Sequence, residues 1–324
     1  MTSKHWLLLV GTVVVAVLAG VAGGAVPMPL GEVWAALFGQ GDATQVAIVR
    51  NLRLPRIALG LAVGAGLAVS GTALQATLRN PLAEPYLLGV SGGAAAGAVL
   101  AVTLGFASPL LLPIAAFVGA ALAVLVVLLV ARAVSGHADP RVLLMAGVVV
   151  GAFCTAAIMV GLATAPENSV RGALWWMMGS LGDAQWRSVR WVAAYVAFGI
   201  ALLVLWARDV DVLALGEDAA ASLGLPVERV TRRIYLAASL LAAATVAGAG
   251  LIGFVGLIVP AIARALGARN TREAIVASAL AGAALVVFAD LAARTVLRPA
   301  ELPLGAVTAL IGVPFFLWRL RGLK

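Results

Sequence analysis

Asp290 and Arg294 stand four residues apart in an otherwise apolar stretch. On a helix that spacing puts both on one face, which favours a structural ion pair over a proton relay. The other long apolar stretches hold almost no Asp, Glu, Lys or His. Ionisable groups inside a membrane normally mark proton or ion pathways, so ion coupling and redox chemistry have little to use here. No Walker loop is present, so the chain does not hydrolyse ATP itself. His5 and His137 are far apart, and no metal site can be argued from them. Cys154 is the single cysteine; it cannot form an internal disulfide and reads as a small apolar packing residue. The informative residues are in the loops. The segment 209–226 reads as two short helices punctuated by Gly216 and Gly224. Glu217 and Asp218 fall at a helix start, where the dipole favours acids. Such an element suits docking to a cytosolic partner, or it is a solvated connector.

A membrane must position these residues. Of 324 residues, 63% are hydrophobic and 11% charged, and the mean hydropathy is +1.09. A soluble domain is nearer about 45–50% apolar and about 25% charged. Even a well-packed domain of roughly 300 residues leaves about a quarter of its unfolded-chain surface exposed. The composition excludes a soluble enzyme, a disordered protein and a disulfide-built secreted domain. The net charge of +8 includes no basic run or stripe, so it points to cytoplasmic loops and not to nucleic acid.

A crossing helix needs about 20 mostly apolar residues. Ten stretches qualify: 6–26, 57–78, 87–104, 110–134, 142–163, 189–207, 234–251, 254–266, 274–293 and 305–320. The first has an apolar run longer than a signal-peptide core and reads as a retained span. The eighth is short and contains Pro260; it reads as a broken or tilted helix, tolerated where neighbours cover the backbone. With the N-terminus in the cytoplasm, 14 of the 22 Lys and Arg, Lys324 among them, fall on the cytoplasmic side. That bias places both termini inside. The pairs Gly60/Gly64, Gly89/Gly93, Gly93/Gly97 and Gly147/Gly151 let helix backbones approach closely. The expected fold is all-α and polytopic, one transmembrane domain over 1–324, with an inner loop near 208–233 and an outer segment near 164–188.

Five stretches in order carry a family resemblance. They are Arg53-Leu-Pro-Arg56 with Gly64 to Gly71 and Gln75; Arg79-Asn80-Pro81-Leu82-Ala83-Glu84-Pro85 with Leu88-Gly89; Trp176-Met-Met-Gly179 with Trp186; Leu215-Gly216-Glu217 with Leu223-Gly224; and Gly253 to Pro260 through Arg264, Asp290, Arg294, Glu301-Leu-Pro303 and Gly312-Val-Pro314. Over about 49–320 the sequence resembles the FecCD-type permease subunits of ABC importers, which carry vitamin B12, haem and ferric siderophores. The resemblance implies ten spans per subunit and a homodimeric type II importer in the inner (plasma) membrane, with its path at the dimer interface. It implies two cytosolic ATPase subunits that bind the ATP, a periplasmic or lipid-anchored substrate-binding protein, and no cofactor on this chain.

Roles follow by matching position. Gly216, Glu217, Asp218, Leu223 and Gly224 match the family's ATPase-coupling helices. Arg53, Arg56 and Arg294 match outer-face arginines that receive acidic residues of the binding protein, a task suited to a planar bidentate fork; the alternative is headgroup anchoring. Asn80, Leu82, Asp139 and Pro140 match the inner gate. Many relatives have His where this chain has Ala261, a position expected at a cytoplasmic helix end. Trp175, Trp176 and Trp186 read as an interfacial aromatic belt or part of an outer rim. The expected activity is ATP-driven alternating access for an iron chelate (siderophore or haem), with cobalamin as the alternative cargo. A stand-alone transporter or channel, and a membrane-embedded enzyme, are the rival classes.

Overall fold

The structure, a computed structural model, describes residues 1–24, 28–106, 108 and 110–321. The end of the first expected span, at Val26, and the basic Lys324 lie outside the described residues. The helices are α1 (Ser3–Ala22), α2 (Leu30–Leu37), α3 (Ala43–Ala47), α4 (Leu54–Thr77), α5 (Val90–Thr103), α6 (Leu111–Ser135), α7 (Pro140–Thr164), α8 (Glu167–Met177) and α9 (Trp186–Leu205). They continue as α10 (Ala207–Leu213), α11 (Glu217–Ser222), α12 (Val227–Ala249), α13 (Val255–Ala265), α14 (Thr271–Ala293) and α15 (Leu304–Arg321). A π-helical stretch, Ile48–Arg53, joins α3 to α4, and a 3-10 turn, Pro85–Leu88, precedes α5. No strand occurs among the described residues.

Seven helical stretches are long and apolar enough to cross a membrane: α1, the continuous Ala43–Thr77, α6, α7, α9, α12 and α14. Three shorter apolar helices, α5, α13 and α15, fall on the third, eighth and tenth stretches expected from the sequence. α13 has 11 residues with Pro260 inside it, so it spans about 16 Å at 1.5 Å per residue. Ala261 is buried within this helix. The expectation that it sits at a helix end is corrected: the helix runs on past Pro260 because neighbouring helices cover the backbone the proline leaves unpaired.

α4 is the axis of the bundle. Lipid offers no hydrophobic drive for helix association, so close backbone approach does the work. α4 meets α14 where Gly64 lies against the main chain of Gly282, and a methyl on either would run into the other's carbonyl. α5 meets α6 the same way, through Gly93 and Gly97 against Gly119 and Ala115. Buried hydroxyls add specific joints. Ser70 Oγ donates to the carbonyl of Ala238 (2.7 Å) and Thr72 Oγ1 to Ser278 Oγ (2.8 Å). Each removes a polar group that would be costly unpaired in an apolar interior. α7 and α9, in contrast, present exposed Phe153, Met159 and Trp191. Cys154 on α7 is buried among apolar neighbours.

Candidate functional site

α10 is fastened to the bundle, which gives the loop over 208–226 a rigid base. Arg233 of α12 donates to Asp209 and lies over the Trp206 ring at 4.9 Å. Asp211 accepts from the Thr271 amide at the start of α14 (2.8 Å). Gly216 then turns the chain at φ 114, a region that favours glycine. α11 follows, with Glu217 and Asp218 in its first turn. Its inner face buries Ala220, while Leu215 and Leu223, on either side of it, are each 67% exposed. Gly224 ends the tip at φ 81. The two short helices and their glycine punctuation are as the sequence indicated.

Glu217 reaches back to the bundle. Its Oε1 accepts from Arg79 Nη2 at 2.9 Å, and both side chains are about two-fifths exposed. Exposed pairs of this kind contribute about 0–1 kcal/mol, so this one orients more than it stabilises. Arg79 holds φ 48, unusual for a residue with a side chain. Asn80 follows it and accepts from the Leu82 amide at 2.9 Å, closing a tight turn. Across the gap, Asp139 caps α7: its Oδ1 accepts from the amides of Arg141 (2.8 Å) and Val142 (3.3 Å). Pro140 takes the first helical position, where a missing N–H costs nothing.

These pieces enclose a cleft of about 440 Å³ lined by Leu78, Arg79, Asp139, Pro140, Arg141 and Glu217. The structure thus brings Glu217 together with Asp139 and Pro140. Asn80 and Leu82 adjoin Arg79 in sequence but do not line this cleft. Arg79 and Arg141 were missed as site residues. Arg79 stood in a quoted motif, but its link to Glu217 spans 138 positions, beyond any local signal.

The opposite end holds the three arginines. Arg56 donates Nε to Asp290 Oδ1 (2.9 Å) and Oδ2 (3.1 Å), and its two terminal nitrogens to the Glu301 carboxylate (3.0 and 2.9 Å). Arg294 Nε lies 3.2 Å from Asp290, the ion pair anticipated from the i,i+4 spacing. Arg294 also donates to the carbonyls of Gly20 and Gly23, and Arg53 to those of Val21 and Ala22. Arg53 and Arg294 are each 5% exposed. They satisfy main-chain acceptors at the end of α1 that no helical N–H reaches. Arg56 and Arg294 share Asp290, and Arg53 lies beside Arg294 at the end of α1; all three are sunk below the surface and already engaged. Glu301 is the half-exposed member, and the Arg56 guanidinium holds its carboxyl below the usual glutamate range. Trp186 Nε1 donates to the Arg50 carbonyl (2.9 Å) and Trp175 is exposed.

The model of the FecCD transport family matches residues 12–322. The chain belongs to that family. The cobalamin import system permease protein BtuC of Halobacterium salinarum is 43% identical over 284 residues, 88% of this chain and 76% of the relative. The hemin transport system permease protein HmuU of Yersinia pestis is 39% identical over 273 residues, 83% of this chain and 81% of that one. A solved structure of a metal-chelate type ABC transporter in an inward-facing conformation superposes with a TM-score of 0.85 at 27% identity, covering 98% of both chains. The FecCD chain described here is therefore an ABC importer permease and a multi-pass membrane protein. In that frame the cleft beside Glu217 and the arginine network occupy opposite ends of α4.

Proposed function

We propose that this chain pairs with a second copy of itself as the permease of a binding-protein-dependent importer that carries a metal chelate across the inner (plasma) membrane. The observation that carries the reading is the cleft where Glu217, Arg79 and the first turn of α7 meet. Two ATPase subunits dock on α11, gripping exposed Leu215 and Leu223. Their ATP-driven closure moves α11. The Arg79–Glu217 pair seats α11 against the bundle, and the adjoining start of α7 takes up that movement and opens the inner mouth, which Asn80, Leu82, Asp139 and Pro140 border. The exposed apolar faces of α7 and α9 support a path bordered by the second copy. At the other end a substrate-binding protein docks over the cluster of Arg53, Arg56 and Arg294 and meets it at the Arg56–Glu301 pair, beneath which Arg53 and Arg294 are buried. Its carboxylates compete with Glu301 for Arg56, whose fork already shows the bidentate geometry such a contact needs. The names of the relatives support a corrinoid or haem as the first cargoes to test.

A detergent pull-down tests the reading. A cytosolic ATPase is expected to co-purify with the wild-type chain and to be lost when Glu217 and Asp218 are both changed to Arg. Retention by the reversed variant removes the coupling assignment. No ATPase on the wild type brings the stand-alone transporter forward.

A further inference from the structure

α13 is too short to cross a hydrocarbon core of about 30 Å. Its first N–H groups must therefore be satisfied by protein. α12 ends at Gly250 (φ 71), and the chain turns into α13 through Phe254 at φ 68, where side-chain-bearing residues are rarely found. The chain entering α13 is held at two amides just before the helix by the loop between α4 and α5. The Phe254 amide donates to Glu84 Oε1 at 2.7 Å, and the Ile252 amide donates to the Tyr86 hydroxyl at 2.6 Å. A carboxylate at a helix start also suits the dipole. Between them, Pro85 packs against Gly256.

α4 grips the same helix from its side. Gln75 Nε2 donates to the carbonyls of Gly256 (3.2 Å) and Leu257 (3.3 Å), and Gln75 Oε1 accepts from Arg264 (2.8 Å). The other face of the loop is held differently. Gly147 of α7 lies against the main chain of Leu87 and Leu88, and a methyl there would come within 2.5 Å of the Leu87 carbonyl oxygen. Among the described residues no side-chain hydrogen bond joins α7 to this loop. One side of the loop is hydrogen-bonded through side chains, and the other is held by close backbone packing alone.

We infer that Glu84 and Tyr86 are positioning residues: they lock the Asn80–Leu82 turn to α13 and α4 as one body, leaving α7 to move at Gly147 when the inner mouth opens. The lock stands on the geometry alone; the opening half rests on the importer reading above.

Amide hydrogen exchange on the full chain in nanodiscs tests the lock without any partner. Glu84→Ala is expected to speed exchange at both 80–88 and 252–258 by about tenfold, the equivalent of about 1.4 kcal/mol for a lost hydrogen bond. Glu84→Gln keeps an acceptor oxygen and is expected to stay near wild type. Tyr86→Phe, a milder change in case the alanine variant does not fold, is expected to loosen the same two segments to a smaller degree. A change confined to one segment overturns the lock. The opening half is read in the complex with its co-purified ATPase. Adding ATP is expected to alter exchange at 139–147 and leave 80–88 unchanged in wild type and Glu84→Gln, but to alter both in Glu84→Ala. Equal ATP-driven changes at 80–88 and 139–147 in wild type overturn it. Absence of an ATPase from the wild-type preparation sinks the importer reading and leaves the exchange result on the lock intact.

Discussion

Glu301 joins Arg56 through two parallel hydrogen bonds, and this hold depresses its proton affinity in the folded chain. The unfolded chain therefore takes up the proton first as pH falls. The contribution of the pair is complete above about pH 4.3, the ordinary glutamate value, and disappears as pH drops through the lower folded value. Thermal scans across acid pH are expected to show a shallower loss of stability in Glu301→Gln than in wild type; identical slopes would remove Glu301 from the acid response. The Arg79–Glu217 pair answers to a different test because its exposure gives it little energetic weight. Reversing either charge alone is expected to lower ATP-driven transport severalfold with an unchanged melting temperature. The double swap, Arg79→Glu with Glu217→Arg, is expected to recover part of it. A double variant no better than the singles would mean the two groups act separately. The pair was not legible in the sequence, because 138 positions separate its members. Asp290–Arg294 was legible, since helical spacing alone puts them on one face.

At the scale of helices, Asp139 has two assignments, gate residue by position and N-cap by geometry. Asn caps as well as Asp, whereas Ala costs about 1 kcal/mol. Asp139→Asn is expected to keep wild-type stability, so any loss of transport in that variant reports the gate and not the cap. Asp139→Ala is expected to lower the melting temperature in detergent. The α4–α14 contact is the more sensitive joint. Gly64 and Gly282 touch main chain to main chain, and overpacking such a contact costs about 1–3 kcal/mol or more. Gly64→Val is expected to lower the yield of monodisperse protein sharply, while Gly151→Ala, whose added methyl meets nothing within 4 Å, is expected to be neutral. Equal behaviour of the two variants would deny α4 its place as the axis. Both glycines stood in small-residue pairs in the sequence, and nothing there told which one faced a neighbour's backbone. That depends on helix rotation, which glycine spacing does not fix.

For the whole molecule, the ten apolar stretches read from the sequence would put both termini on one side if each carries the chain across in turn, α13 with the help of the segments that flank it. Reporter fusions at the two ends are expected to give the same sidedness, and opposite results would mean that α5, α13 or α15 does not cross. The sequence by itself determined the solvent, the helical class and the approximate limits of the apolar helices, because lipid demands long apolar segments with internally satisfied backbones. It also marked α11 and its acidic start, since glycine punctuation and helix dipoles act locally. Only the tertiary structure decided which charges meet. It sank Arg53 and Arg294 into the end of α1, and it brought Glu217 to the cleft beside Asp139. It also set Glu84 on the amide of Phe254, 170 positions away. Such contacts arise from how helices rotate and tilt against one another. In a bundle whose helices are apolar on nearly every face, hydrophobic periodicity carries no record of that choice.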